Sequence, residues 1–337
     1  MGVSPPLSPL FFLLSLLTLA VILVNGWTDA PNAIASAVSS RALSFRSAAA
    51  LAAVCNFGGA ALSSILHPAV ADTVRGLSGF GPDPAVALAA LCAALAAIVL
   101  WSVAAWRFGI PTSESHALMA GLTGSALALR GGAENVDAGT WRTILLGLVL
   151  STGLSLLLGR MLGRLSARLR GPGWDRACRR GQVLSAAAMA FLHGAQDGQK
   201  FLGVFLLGWG LTGGSGPGPG EIPLPLLVVC ALAMGLGTAL GGRRIIEKVA
   251  VDMVQLDLRQ GLASDLAAAG ALLLCTLLGC PVSTTHAKTA AILGAGSACR
   301  RAARWDVAAS ILLVWLLTFP ACLLLGFLLA RLFFLCL

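Results

Sequence analysis

The strongest constraint on this chain is a succession of long apolar segments. They run at about 8–41, 46–67, 84–106, 110–130, 142–160, 183–210, 223–241, 261–278, 280–298 and 305–332, and polar residues interrupt the first and the sixth. About 20 apolar residues suffice to cross the hydrocarbon core of a bilayer. Ten such segments in 337 residues therefore predict an all-α, polytopic transmembrane bundle with short connections and no large soluble domain. Composition agrees: 57% of residues are hydrophobic and only 11% charged, where a soluble domain carries roughly 25% charged residues. Disorder, nucleic-acid binding and ordinary soluble enzymology are excluded on that ground.

The net charge of +9 is then a statement about loops. With the N-terminus outside and ten crossings, 17 of the 23 Lys and Arg fall on the cytoplasmic side, among them Arg41, Arg46, Arg107 and the seven arginines from Arg160 to Arg180. Four (Arg75, Arg130, Arg142 and Arg331) fall outside, and Lys200 and Lys288 lie within apolar segments. The positive-inside rule thus predicts a cell-membrane protein with both termini extracytoplasmic and the central basic loop cytoplasmic. The Met1–Asn25 stretch has no basic residue before its apolar run and no A-x-A site before Trp27, so it reads as a retained first span. Residues 243–260 have helical apolar spacing (Ile245, Ile246, Val249, Met253, Leu256) and read as an amphipathic surface helix. The nine Cys show no CxxC pair and sit mostly in apolar runs, which predicts small core residues and no disulfide framework.

An internal repeat divides the chain. Asn25-Gly-Trp-Thr-Asp-Ala-Pro-Asn32 parallels His193-Gly-Ala-Gln-Asp-Gly-Gln-Lys200, with Asp29 and Asp197 separated by 168 residues. Gly109-Ile-Pro-Thr-Ser-Glu-Ser-His116 parallels Gly279-Cys-Pro-Val-Ser-Thr-Thr-His286, with Pro111 and Pro281 separated by 170. Five crossings per half is an odd number, so the halves are expected to be inverted: 1–160, a basic cytoplasmic linker at 161–182, and 183–337. Inverted repeats broken by polar motifs at matching positions point to a secondary transporter with broken or half-helices meeting near the midplane.

The two motif pairs suggest different chemistry. Asn25, Thr28, Asp29 and Asn32 interrupt an apolar run. A charge at the bilayer centre costs about 2.5–3.5 kcal/mol on insertion scales, which is tolerable where the group faces a cavity and meets an ion or partner. Gly26 and Pro31 free backbone carbonyls there, and Gly194 and Gly198 suggest the same around Asp197. The second pair starts helices with Pro and hydroxyl residues. Free N–H groups of a first turn bind oxyanions, and Thr112, Ser113, Ser115, Ser283, Thr284 and Thr285 add donors. Plain N-capping is the competing reading of either motif alone. His116, His193 and His286 have no metal-ligand spacing, so no metal or cofactor site is expected and the histidines read as orienting groups. His67 reads as a helix end. For Lys200, three residues after Asp197, an ion pair or substrate contact is expected; for Lys288, snorkelling to an interface competes with a buried role.

These segments resemble the inorganic phosphate transporter (PiT) family, through Asn25–Ala33, His193–Lys200 and Pro281–His286, over nearly the whole chain. The resemblance is closest in motif to bacterial low-affinity phosphate transporters. It implies proton- or sodium-coupled phosphate uptake, often by a homodimer in the lipid bilayer. It implies cation coupling or substrate binding at Asp29 and Asp197, and phosphate contact at Ser113, Ser115, Ser283, Thr284 and Thr285; the residues themselves add Asn32 and Glu114 to the cation-coupling set and Thr112 and Lys200 to the substrate-binding set. Lys200 stands where many sodium-coupled members have Asn, and Ser113-Glu114-Ser115 where they have Ser-Thr-Thr, which points to the proton as the coupling ion. A sulfate symporter on the same scaffold, an intramembrane enzyme using Asp29 and Asp197 as a dyad, and a passive anion channel are the alternatives.

Overall fold

A computed structural model describes residues 8–77, 79–109, 112–169, 171–212, 222–240, 246, 256–298 and 305–337. The described secondary structure is helical: α1 (Pro9–Thr28), α2 (Pro31–Ser39), α3 (Phe45–Leu66), α4 (Ala69–Arg75), α5 (Pro84–Arg107), α6 (Glu114–Leu127), α7 (Ala138–Ser166), α8 (Pro172–Leu211), α9 (Leu224–Leu240), α10 (Leu258–Leu277), α11 (Thr284–Ala298) and α12 (Trp305–Phe334), with one 3-10 turn at Gly132–Asn135. Apart from residues 256–260, the expected amphipathic segment 243–260 has only Ile246 among the described residues, and the stretch 213–220 lies outside them.

The bundle is apolar outside and polar at its centre. Leu145, Leu146, Val149 and Leu157 of α7 and Leu312, Leu313, Leu316 and Leu317 of α12 are exposed, whereas Asp29, Glu114, Asp197, Lys200, Asp265 and Lys288 are buried. Water would reject that outer belt; lipid tails solvate it. The chain is a multi-pass membrane protein. Six of the ten expected segments form helices long and apolar enough to cross a membrane: 9–39 taken as one, α3, α5, α7, α10 and residues 306–334. The other four differ from such a span over the described residues. Helix α6 has 14 residues and α11 has 15 among the described residues, about 21 and 22 Å at 1.5 Å per residue, less than a 30 Å core. Helix α9 is apolar over its 17 described residues, and α8 carries His193, Gln196, Asp197, Gln199 and Lys200 in its middle.

Small residues let these helices approach. A Cβ on Gly194 would stand 2.7 Å from the Cα of Asn56, so α8 lies on α3 with backbone against backbone. Such contacts replace the hydrophobic drive that lipid does not supply. Gly194→Ala is expected to force the pair apart and lower stability by about 1–3 kcal/mol, read as a fall in thermal midpoint in detergent. An unchanged midpoint would show that α3 yields without cost.

Three expectations about local structure are corrected. The sixth span is not interrupted: α8 runs unbroken from Pro172 to Leu211 through Asp197, and Gly194 and Gly198 serve close packing against Asn56 and Ala60 rather than a break. The first span does break, between α1, capped at Asp29, and α2, which starts at Pro31. Pro31 brings no N–H, whereas the sequence around Asp197 has no proline. The basic stretch is mostly helix: Arg160 and Arg164 belong to α7, and Arg176, Arg179 and Arg180 to α8. Of the linker set at 161–182, only 167–171 lies between the two helices. Pro281 does not occupy a first helical turn; it precedes the cap residue Ser283, and Pro111 lies outside the described residues.

Candidate functional site

Two helix starts meet at the centre of the bundle. Ser113 is the N-cap of α6 and accepts the N–H of His116; Ser283 accepts the N–H of His286 in the same way at the start of α11. The two cap hydroxyls then bond each other, Ser113 Oγ donating to Ser283 Oγ at 2.8 Å. Capping and mutual contact thus coexist. The helices leave this point in opposite directions. Helix α6 runs back along α5, with Thr112 beside Trp101 and Gly121 beside Ala94. Helix α11 runs along α7 in its own sense, with Val282 beside Gly147 and Ala295 beside Gly163. The starts of α5 and α7 lie at one end of the bundle, joined through Gly79 N–H to Asn135 O at 2.8 Å and Asp137 N–H to Leu77 O at 3.2 Å.

The polar break of the first span and the middle of α8 both face this junction. Asp29 Oδ1 accepts from Asn32 at 2.8 Å and from the Thr285 hydroxyl, and its Oδ2 accepts from Thr284 at 3.3 Å. Asp197 Oδ1 pairs with Lys200 Nζ at 2.6 Å, and its Oδ2 accepts from Asn25 at 3.0 Å. Lys200 Nζ also donates to Ser115 Oγ at 2.7 Å and to the Val282 carbonyl at 2.5 Å. The two clusters correspond. Asn32 and Lys200 each stand three residues after an Asp, and each bonds both that Asp and a helix-start hydroxyl, Thr285 for Asn32 and Ser115 for Lys200. Ligand atoms of Asp29, His193 and Asp197 lie within 4.8 Å of one another, so two carboxylates and an imidazole face one point that a cation or proton can occupy.

Most residues expected from sequence meet here. Glu114 is fully buried and accepts from the Thr28 hydroxyl. Thr112 accepts from the Trp101 indole at 2.9 Å and shares a hydrogen with Thr318 at 3.1 Å, so its side chain is turned away from the two clusters. The histidines divide. His193 bonds Asn56 at 3.0 Å, and Asn56 in turn bonds Thr238. Among the described residues His116 has no hydrogen-bond partner on either ring nitrogen; it packs at 4.3 Å on both His286 and Phe319. His67 caps the end of α3, as expected.

Lys288 does not snorkel. It is 0% exposed and pairs with Asp265, which is also 0% exposed. Asp265 received no role from the sequence. A lone Asp in an apolar run carries the same insertion cost as Asp29, and that signal was available. Its partners were not legible, because they come from three other helices.

A helical membrane bundle that gathers hydroxyls, carboxylates and an amine at opposed helix starts has a buried polar site of the kind a transporter needs. The chain belongs to the phosphate transporter family, whose sequence profile matches residues 25–326. Named relatives are similar over most of their length. A probable low-affinity inorganic phosphate transporter of Bacillus subtilis is 33% identical, over 92% of this chain and 93% of its own. One of Rhizobium meliloti is 36% identical over 88% and 89%, and one of Mycobacterium bovis 35% over 90% and 72%. A solved structure titled the sodium-dependent phosphate transporter superposes with a TM-score of 0.87, covering 98% of this chain and all of that one at 21% identity; it shares the fold.

Proposed function

We propose that this protein imports inorganic phosphate by symport with a cation, alternating access between the two membrane faces through ten crossings arranged as inverted repeats. The observation that carries the symport is a charge balance. Asp29, Glu114 and Asp197 are buried around the junction with one amine, Lys200. An oxyanion entering beside surplus carboxylates is repelled steeply in a low-dielectric site unless positive charge enters with it. Opposed helix starts with Ser113, Ser115, Ser283, Thr284 and Thr285 supply anion donors, and Asp29, Asn32, Asp197 and Glu114 supply cation acceptors. Lys200 already gives Asp197 a fixed cation among three oxygens, so no dissolved ion is needed there, which favours the proton at Asp29 and Glu114. The opposite exits of α6 and α11 fit the inverted arrangement.

Uptake into proteoliposomes with proton and sodium gradients imposed separately tests this reading, with labelled phosphate and sulfate side by side. A proton gradient alone is expected to drive phosphate accumulation. Strict sodium dependence would move the coupling to sodium, and equal transport of sulfate would move the substrate. Phosphate and arsenate carry acidic protons that a buried carboxylate accepts, whereas sulfate at neutral pH carries none. An unpaired buried acceptor costs about 1–3 kcal/mol, so arsenate should compete about tenfold or more better than sulfate. The topology has its own test. In a chain whose exposed Cys336 is first replaced by Ser, a Cys replacing exposed Gly173, at the start of α8, should resist an impermeant thiol reagent added outside intact cells, and ready labelling would reverse the orientation.

A further inference from the structure

A second buried ionic cluster lies one helical turn beyond the first. On α2, Ser36 follows Asn32 by four residues; on α11, Lys288 follows Thr285 by three. Both steps keep to one helix face, so the two helices that close on Asp29 meet again through a second layer. There Lys288 Nζ donates to Ser36 Oγ at 2.7 Å and pairs with Asp265 Oδ1, which also accepts from Ser36. The other oxygen of Asp265 accepts from the Gln182 side-chain amide. Four helices, α2, α8, α10 and α11, are joined by this cluster, and all four side chains are buried. Gly261 of α10 leaves the space that Gln182 fills, since a Cβ there would collide with the amide.

The direction of the layer matters. Helix α2 leads from Asn32 through Ser36 toward Arg41, whose carbonyl accepts from Arg179 at 2.9 Å, and the bundle end they mark also holds the Arg259–Asp175 pair. The layer therefore stands between the candidate site and the basic end of the bundle. An ion or anion leaving Asp29 toward that end, between α2 and α11, meets the Lys288–Asp265 pair first.

We propose that Lys288 and Asp265 form the latch of an inner gate, a positioning pair that holds the exit toward the basic end shut until the site releases it. The proposal rests on the transport function above and concerns coupling, not substrate contact. Helices α2 and α11 carry both layers, so parting them to release cargo also breaks the latch, and re-forming the latch restores the grip on Asp29. Without the latch, the inner exit opens irrespective of what the site holds, and exchange proceeds without accumulation.

The test compares two reconstituted variants with the wild-type chain, each checked for a monodisperse folded peak. Lys288→Met/Asp265→Leu removes both charges at similar volume and leaves no buried ion unpaired. It is expected to retain exchange of labelled for unlabelled phosphate within about twofold, yet to lose gradient-driven accumulation by about tenfold or more. The exchanged pair Lys288→Asp/Asp265→Lys is expected to restore accumulation, because the Ser36 hydroxyl and the Gln182 amide can each donate or accept. Wild-type accumulation by the neutral variant, its failure to fold, or a folded exchanged pair that stays uncoupled would each overturn the latch. Absence of phosphate exchange in the wild-type chain would instead overturn the transport reading itself.

Discussion

Lys200→Asn is expected to abolish concentrative phosphate uptake. The ammonium makes three contacts, to Asp197, Ser115 and the Val282 carbonyl, and so joins α8 to both helix starts. Asn reaches none of them at the same length and leaves Asp197 as an uncompensated buried charge. Breaking one side of a buried pair in this way costs about 3–5 kcal/mol. The variant should be less stable in detergent as well as inactive. The vacated space keeps three oxygens, one of them from the Asp197 carboxylate, the kind of ligand set hard cations take. Partial recovery of stability and uptake on adding sodium is therefore the second expected result. Uptake by Lys200→Asn at the wild-type level, without sodium, would refute the role of Lys200 as a fixed cation.

Replacing the two aspartates should give unequal outcomes. Asp29→Asn removes a charge that has no amine partner; its contacts are Asn32, Thr284 and Thr285, and hydroxyls can still donate to an amide oxygen. This variant should fold with a near-normal thermal midpoint and fail to accumulate phosphate. Asp197→Asn leaves the buried Lys200 without its carboxylate, so it should lose both accumulation and about 3–5 kcal/mol of stability. The measurement is uptake under an imposed proton gradient together with a detergent melting curve for each. Equal midpoints would contradict the Lys200–Asp197 pairing, and normal accumulation by Asp29→Asn would remove Asp29 from coupling.

Much of the fold and of the candidate site is legible in the amino-acid sequence. The apolar segments dictate helices that shed their surface into lipid, because no other arrangement hides so many leucines. The spacing of Asp29, Pro111, Asp197 and Pro281 marks the polar places, because an Asp or a hydroxyl cluster inside an apolar run is expensive unless something meets it. Family membership follows from the same motifs. Sequence does not distinguish a break from a continuous helix at Asp197. Local glycines are compatible with either, and packing of Gly194 on Asn56 favours the unbroken form.

Partnership is the part that only tertiary structure decides. Ser113 and Ser283 are 170 residues apart and share one hydrogen bond. Glu114 goes to Thr28, Thr112 turns toward Trp101 and Thr318, and Lys288 goes inward to Asp265 rather than outward to an interface. Burial cost tells which residues need a partner. Which partner they take depends on how helices from distant parts of the chain cross, and that is a long-range property no local pattern encodes.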